Sequence, residues 1–251
     1  MSKITLYGFN NLTKSLSFSL YKLHYLDGNQ AINNYNTYIN ETFSAAKLNA
    51  ILVKICQTIG GNILNIAKQD YQPQGASVTL MISEEAQPLP YTENLVAHLD
   101  KSHLCIHTYP EDALPKSGIA IFRADIELST CGVISPLKVL DYVIEEFNAD
   151  IIDIDYRVRG MTRATNRKML FNDNKINNIS DHLSDKLQNK YIIKNYNLQS
   201  RNLFHTKLHK RQVSFKDYLF KGNQSNLPTD QQKKIKTQLE QELHQLFTNS
   251  I

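Results

Sequence analysis

The sequence predicts an α+β fold in which helices pack on one face of an antiparallel sheet. Three observations predict it. Short runs alternate apolar and polar residues, the period of a half-buried strand, and turn residues separate them. Two longer segments repeat apolar residues at helical spacing. These helices are interleaved with hairpins instead of following strict β-α-β alternation, and that order builds α+β domains.

Residues 40–59 read as a helix, with Ala45, Leu48, Ile51, Leu52 and Ile55 on one face and Gly60-Gly61 as its stop. Asn62–Tyr71 and Ser77–Glu84 read as strands joined by the turn Gln72-Pro73-Gln74-Gly75. Val78, Leu80 and Ile82 form the apolar face of the second. Thr92–Leu99 is a short helix candidate. His103–Tyr109 and Gly118–Leu128 are strands flanking a polar loop. Ser135 is a candidate N-cap and Pro136 a first helical residue for a helix reaching about Phe147. Its buried stripe is Leu137, Leu140, Val143, Ile144 and Phe147. Ile151–Val158 is a further strand. Beyond residue 160 the signals weaken to polar helices around 175–190 and 228–248.

The 251 residues suit one large domain or two small ones, and 41% apolar against 21% charged residues is ordinary for a globular protein. The formal charge of +4 is unevenly spread. Residues 1–150 hold 10 basic and 15 acidic side chains, residues 151–251 hold 18 and 9. The basic second part keeps a nucleic-acid partner open as an alternative. No apolar run approaches the roughly 20 residues of a membrane span. The N-terminal residues lack the apolar stretch of a signal peptide. Three cysteines, Cys56, Cys105 and Cys131, with no CxxC spacing, argue against a disulfide framework and for a reducing cytoplasm.

The densest chemistry lies in His98–Glu111. On a strand, His103, Cys105 and His107 share one face and Leu104 and Ile106 the other. A half-buried strand with hydrogen-bonded imidazoles accounts for this. A metal site accounts for it poorly, because ligands at i, i+2 and i+4 spread over about 13 Å of strand. Ser129-Thr130-Cys131-Gly132 follows the strand ending at Leu128. If that strand pairs with 102–109, Ser102 and Cys131 meet at the open end of the hairpin. Cys131 is then either an apolar filler or a thiol that moves protons.

At these residues the sequence resembles the prokaryotic S-adenosylmethionine decarboxylase proenzymes, in the longer form found in enterobacteria and relatives. The resemblance is carried by Gly8–Phe18, by Ala67-Lys68-Gln69-Asp70-Tyr71-Gln72-Pro73-Gln74-Gly75-Ala76-Ser77-Val78-Thr79 and by His98–Glu111. Phe122–Glu127, Ser129–Lys138, Asp155–Gly160 and Asn202–Lys207 continue it. It thins after about residue 165.

The resemblance implies a two-layer α/β sandwich and one inactive chain that cuts itself at Lys101–Ser102. The products would be a beta chain, 1–101, and an alpha chain, 102–251. The Ser102 hydroxyl would attack the carbonyl before it, and elimination and hydrolysis would leave a pyruvoyl group on the alpha chain. That carbonyl, as a Schiff base with the substrate amine, is the electron sink for decarboxylation of S-adenosylmethionine. The product is the aminopropyl donor for spermidine. By the same resemblance Cys131 is the proton donor in turnover and His107 the proton-transfer residue of processing. Five residues of straight strand separate Ser102 from His107 by about 16 Å. The expectation is therefore a departure from regular strand between them, or else His107 acts on a group brought in from elsewhere.

Glu84, Glu85, Glu111 and Glu127 are candidates for the substrate's ribose or its cationic end, and Phe9 or Phe18 for stacking on adenine. The family implies magnesium dependence, though no compact carboxylate set suggests ligands. It also implies a homo-oligomer of cleaved pairs. The alternatives are a pyruvoyl decarboxylase of another amino acid, a catalytically dead homologue that pairs with an active partner, and a non-enzymatic nucleic-acid binder. The two product chains would hold 7 basic with 7 acidic residues and 21 with 17, so a shared core must keep them together.

Overall fold

Alternating burial along Thr13–Tyr25 and Ile119–Cys131 produces two 13-residue strands, which pair over their whole length. They form the spine of the sheet. The computed structural model describes residues 6–26, 29–83, 101–111, 117–131, 134–164, 168–212, 214–220 and 227–250. Its strands are β1 (Leu6–Asn10), β2 (Thr13–Tyr25), β3 (Asn62–Asp70), β4 (Ala76–Ser83), β5 (Lys101–Pro110) and β6 (Ile119–Cys131), then β7 (Ile151–Arg159), β8 (Thr162–Ala164), β9 (Met169–Leu170), β10 (Tyr191–Leu198) and β11 (Leu203–Lys210). Its helices are α1 (Asn29–Thr42), α2 (Ala45–Ile59), α3 (Leu140–Phe147), α4 (Asp185–Lys190), α5 (Phe215–Tyr218) and α6 (Thr229–Thr248).

Eight strands make one sheet in the order β10-β11-β7-β2-β6-β5-β4-β3, with every neighbouring pair antiparallel. A small second sheet joins β1, β8 and β9. One face of the large sheet is apolar: Leu16, Phe18 and Leu20 from β2, Ile126 and Leu128 from β6, and Leu104 and Ile106 from β5 are all buried. Helices α1, α2 and α3 cover it, with Leu48, Leu52 and Ile55 of α2 and Val143 and Ile144 of α3 fully buried in the same core.

The α+β class and the antiparallel sheet agree with the sequence. One helix, α6, lies on the opposite face, outside the expected single helical layer. Its i, i+4 stripe of Ile235, Leu239, Leu243 and Phe247 needs an apolar counterpart, and Leu23, Ile119 and Ile151 supply one at one end of that face. The rest of the face carries Ser15, Ser17, Ser19, Asp125, Glu127, Asp153 and Asp155 at alternate positions, and no helix among the described residues covers it.

Several boundaries differ from the sequence reading. The helix expected over 40–59 is two helices, broken at Ser44. The Ser44 hydroxyl accepts the Lys47 N–H, and Asp70 Oδ1 accepts the Ala45 N–H at 2.7 Å, so α2 starts afresh there. Gly60 ends it in the left-handed region at φ 83°. The helix expected from Pro136 begins as a 3-10 turn, Pro136–Val139, before α3, and Ser135 makes no side-chain cap. The polar helix expected around 175–190 is a 3-10 turn at Ile179–His182 followed by the short α4. The expected strand 118–128 continues to Cys131, which therefore sits on β6 and not past it. The helix candidate Thr92–Leu99 lies outside the described residues.

Candidate active site

The β5–β6 hairpin sets the geometry. His103 pairs with Ser129, Cys105 with Glu127 and His107 with Asp125, in unbroken register. On the other side of β5 the pairing with β4 continues further, through Ile82↔Ser102 to Ser83↔Lys101. The β6 ladder thus stops one residue short of Ser102, while the β4 ladder passes it. At that point the Cys131 N–H leaves the ladder and donates to Ser102 Oγ at 3.1 Å. The hairpin therefore brings Ser102 and Cys131 together, and the carbonyl of Lys101 lies at the end of the paired region.

Ser102 is 3% exposed and sits opposite Ile82, so it belongs to the helix-covered side of the sheet. Continuing the register by one step brings Thr130 opposite Ser102, and Lys14 is directly opposite Thr130 on β2. Both are buried, Thr130 at 0% and Lys14 at 1%. Polar side chains thus form a row across three strands at the end of a mainly apolar face. Lys14 Nζ donates to the Ile134 carbonyl at 3.0 Å and to Asp173 Oδ2. Thr130 Oγ1 is buried with no hydrogen-bond partner among the described residues. Neither Lys14 nor Thr130 was singled out from sequence: a polar residue in a strand reads as surface until the register is known.

The opposite face holds His103, Cys105 and His107, more exposed than the intervening Leu104 and Ile106, as the alternation predicts. The departure from regular strand expected between Ser102 and His107 is absent, because β5 stays in register with β4 from Lys101 to His107. The two side chains therefore lie on opposite faces, about 16 Å apart along the strand. Backbone pairing on both sides leaves no slack for a bulge over 103–107. Within one chain, His107 is out of hydrogen-bond reach of Ser102.

His107 sits between Ser77 and Asp125, with Tyr109 stacked at 6.5 Å and Arg123 over that ring. Ser77 shares a 2.8 Å hydrogen bond with the Tyr71 hydroxyl, so the Tyr71–Ser77 segment quoted for its resemblance meets His107 on this face. Burial and the Glu127 carboxylate push the Cys105 thiol up, which keeps it protonated and unreactive at neutral pH.

The carboxylate candidates are dispersed. Glu127 lies on the open face between Cys105 and Ser17. Glu111 is at the far end of the hairpin, where Oε2 accepts the Ile121 N–H at 2.6 Å and its carbonyl accepts from Gln74. Nine residues of strand, about 30 Å, separate it from Ser102. Glu84 and Glu85 lie outside the described residues. Phe18 is buried in the core at 2% exposure, and the Phe9 side chain is outside what the structure describes. Among the described residues no three His, Cys, Asp or Glu side chains converge, and this donor set does not fit a magnesium ion.

Comparisons with known proteins point to one family. The family described as S-adenosylmethionine decarboxylase matches residues 31–160. A relative from Buchnera aphidicola, named S-adenosylmethionine decarboxylase proenzyme, is 45% identical over 98% of this chain and 96% of its own. One of the same name from Pseudomonas syringae pv. tomato is 47% identical over 98% and 97%. The crystal structure of the adenosylmethionine decarboxylase from Aquifex aeolicus matches at 18% identity and TM-score 0.38, covering 61% of this chain and 93% of that one. With relatives this similar over nearly its whole length, the chain belongs to the S-adenosylmethionine decarboxylase family.

Proposed function

We propose that the chain cuts itself between Lys101 and Ser102 and, as two associated pieces, removes CO2 from S-adenosylmethionine. The observation that carries this reading is the 3.1 Å hydrogen bond from the Cys131 N–H to Ser102 Oγ. It holds the nucleophile at the point where the β6 ladder ends, next to the peptide bond it must attack.

The Ser102 hydroxyl attacks the Lys101 carbonyl carbon. A C–O bond forms, the C–N bond breaks, and the proton passes from oxygen to the freed nitrogen. Elimination of the Lys101 carboxylate leaves dehydroalanine, and water converts it to a pyruvoyl group with release of ammonia. That group supplies an electron sink for the carbanion left when CO2 departs. Cys131, whose backbone N–H holds Ser102 Oγ, returns the proton to the substrate carbon from the odd-numbered face of β6, across the strand end from the Ser102 side chain.

Strand order supports lasting association of the pieces. Piece 1–101 contributes β2, which lies between β7 and β6 of piece 102–251, and β4, which flanks β5. Separating them would break two full ladders of β2 and one of β4. His107, facing away from Ser102, serves processing only if it reaches the Ser102 of a second copy, which supports a homo-oligomer. Three free cysteines suit a reducing cytoplasm, and no helix among the described residues is long and apolar enough to cross a membrane. Part of the basic surplus of the second half is internally paired, with Lys207 on Asp153 and Lys186 on Glu145.

Intact-mass measurement of the purified protein tests this. Two chains are expected, 1–101 and 102–251, the latter blocked at its N-terminus. Ser102→Ala should stay whole and inactive with S-adenosylmethionine. Cys131→Ala should still be cut but lose most turnover. A Ser102→Ala chain that is cut at 101–102 rules the mechanism out.

A further inference from the structure

We infer that Thr130 is a catalytic residue of self-cleavage, accepting the Ser102 hydroxyl proton in a hydrogen bond as the oxygen attacks. The inference rests on the self-cleavage reading and deepens it. Ser102 Oγ already accepts the Cys131 N–H at 3.1 Å, so one of its lone pairs is engaged and its own proton still needs an acceptor. The imidazole of the same chain, His107, is on the other face of β5, so the first proton acceptor must be closer to Ser102.

Along the strands on the Ser102 side lie Ile82, Leu104, Leu128, Thr130 and Lys14. Three of these are hydrocarbon. Lys14, as an ammonium already donating to Ile134 and Asp173, has no lone pair to offer. Thr130 has one. Its Oγ1 is fully buried without a hydrogen-bond partner among the described residues, a destabilising state for a hydroxyl. Carried one step past His103↔Ser129, where the ladder ends, the register sets Ser102 and Thr130 about 4.5–5.5 Å apart at Cβ, near enough for side-chain rotation to bring the two hydroxyls together. The Thr130–Cys131 peptide is itself held against Ser102 by the Cys131 hydrogen bond, which fixes the approach.

In the step, the Lys101 carbonyl carbon gains the Ser102 oxygen and loses the Ser102 nitrogen. The proton leaves the serine oxygen along its bond to Thr130 Oγ1, while the Thr130 hydroxyl proton turns toward the departing nitrogen. Thr130 ends with one proton, as it began. The orphaned hydroxyl of the uncut chain is thus a group held ready for the reaction.

The test follows full-length chain made by cell-free synthesis over time, with gel and intact-mass readout. Thr130→Val keeps shape and removes the hydroxyl. It should slow cleavage about tenfold or more, the size of one lost hydrogen bond in a transition state. Thr130→Ser keeps the hydroxyl and should stay within about threefold of the parent. Equal rates for parent and Thr130→Val overturn the role of Thr130. If Thr130→Val melts far below the parent, Thr130→Ala against Thr130→Ser decides by the same criterion, and equal rates again overturn it. A parent chain that never cuts overturns the self-cleavage reading itself, a different result from a parent that cuts at the rate of its variant.

Discussion

Among the described residues Asp150 is a buried carboxylate with four polar partners, and replacing it with Ala has a cost that can be worked from the structure. It is 1% exposed. Oδ2 accepts the Leu23 N–H at 2.9 Å and Oδ1 accepts the Tyr218 hydroxyl at 3.1 Å. The ammonium groups of Lys22 and Lys210 lie 3.9 and 3.8 Å away. Asp150→Ala strands two buried donors, about 1–3 kcal/mol each, and leaves two largely buried cations without a counter-charge. A loss of about 3–5 kcal/mol follows, the range for breaking a buried ion pair. The assay is urea unfolding of the uncut Ser102→Ala chain at fixed concentration, so that separation of two pieces does not enter. With a slope of roughly 3 kcal/mol per M for a chain of this length, the midpoint should fall by about 1–1.7 M. Asp150→Asn keeps one acceptor and should fall between. A shift below about 0.3 M for Asp150→Ala would refute the view that this carboxylate ties β2 to α5.

Burial, with Lys22 beside it, lowers the His24 imidazole to about 4. The folded chain thus holds His24 neutral while the unfolded chain protonates it near the ordinary 6.5. Stability should be full above pH 6.5 and decline by up to roughly 3 kcal/mol as the pH falls toward 4, and His24→Phe should flatten that part of a urea-midpoint profile. Lys14→Met leaves the Asp173 carboxylate, 10% exposed, without its cation, and should cost about 3 kcal/mol. Adding Asp173→Leu should recover much of that, and a double-mutant cycle that finds no coupling would contradict the pairing. Gly160 has φ +83°, and a Cβ there would meet the Asn11 carbonyl oxygen at 2.2 Å. Gly160→Ala should therefore cost more than about 2 kcal/mol by thermal melting at matched conditions.

Strong single-period elements were legible in the sequence. β4, the hairpin β5–β6, β7 and the stripe of α3 all follow from side-chain alternation or helical spacing, because each buries one face, while β3, with no buried residue, is marked by the turn that joins it to β4. Elements whose burial comes from distant partners were missed. β2 alternates cleanly through Lys14, Leu16, Phe18 and Leu20, but its first buried residue is a lysine, and that masks the pattern. β10 is an edge strand with Ile192, Tyr196 and Leu198 exposed, so it shows no alternation to find. β11 does alternate, with Phe204, Thr206 and Leu208 inward, and could have been read. In α1 a run of asparagines hides Tyr35 and Ile39, which are fully buried one turn apart. The α6 stripe marks a helix, yet only the placement of Leu23, Ile119 and Ile151 decides which side of the sheet it covers.

The site divides along the same line. Matching short segments singled out Ser102, His107 and Cys131, and the hairpin brings two of these three together. Register decides the rest, since a residue's face depends on odd or even position, which no motif reveals. Ser102 and His107 differ by five, an odd number, so a regular strand must send them to opposite sides. Whatever works on Ser102 within its own chain must then come from even positions of β5 or from the residues opposite them. Thr130 meets that condition, and Lys14 lies opposite Thr130 on the next strand, both of them buried polar residues on a mainly apolar face. A polar row buried at the end of that face is destabilising by itself. The self-cleavage proposed for Lys101–Ser102 would give this row a role that packing does not.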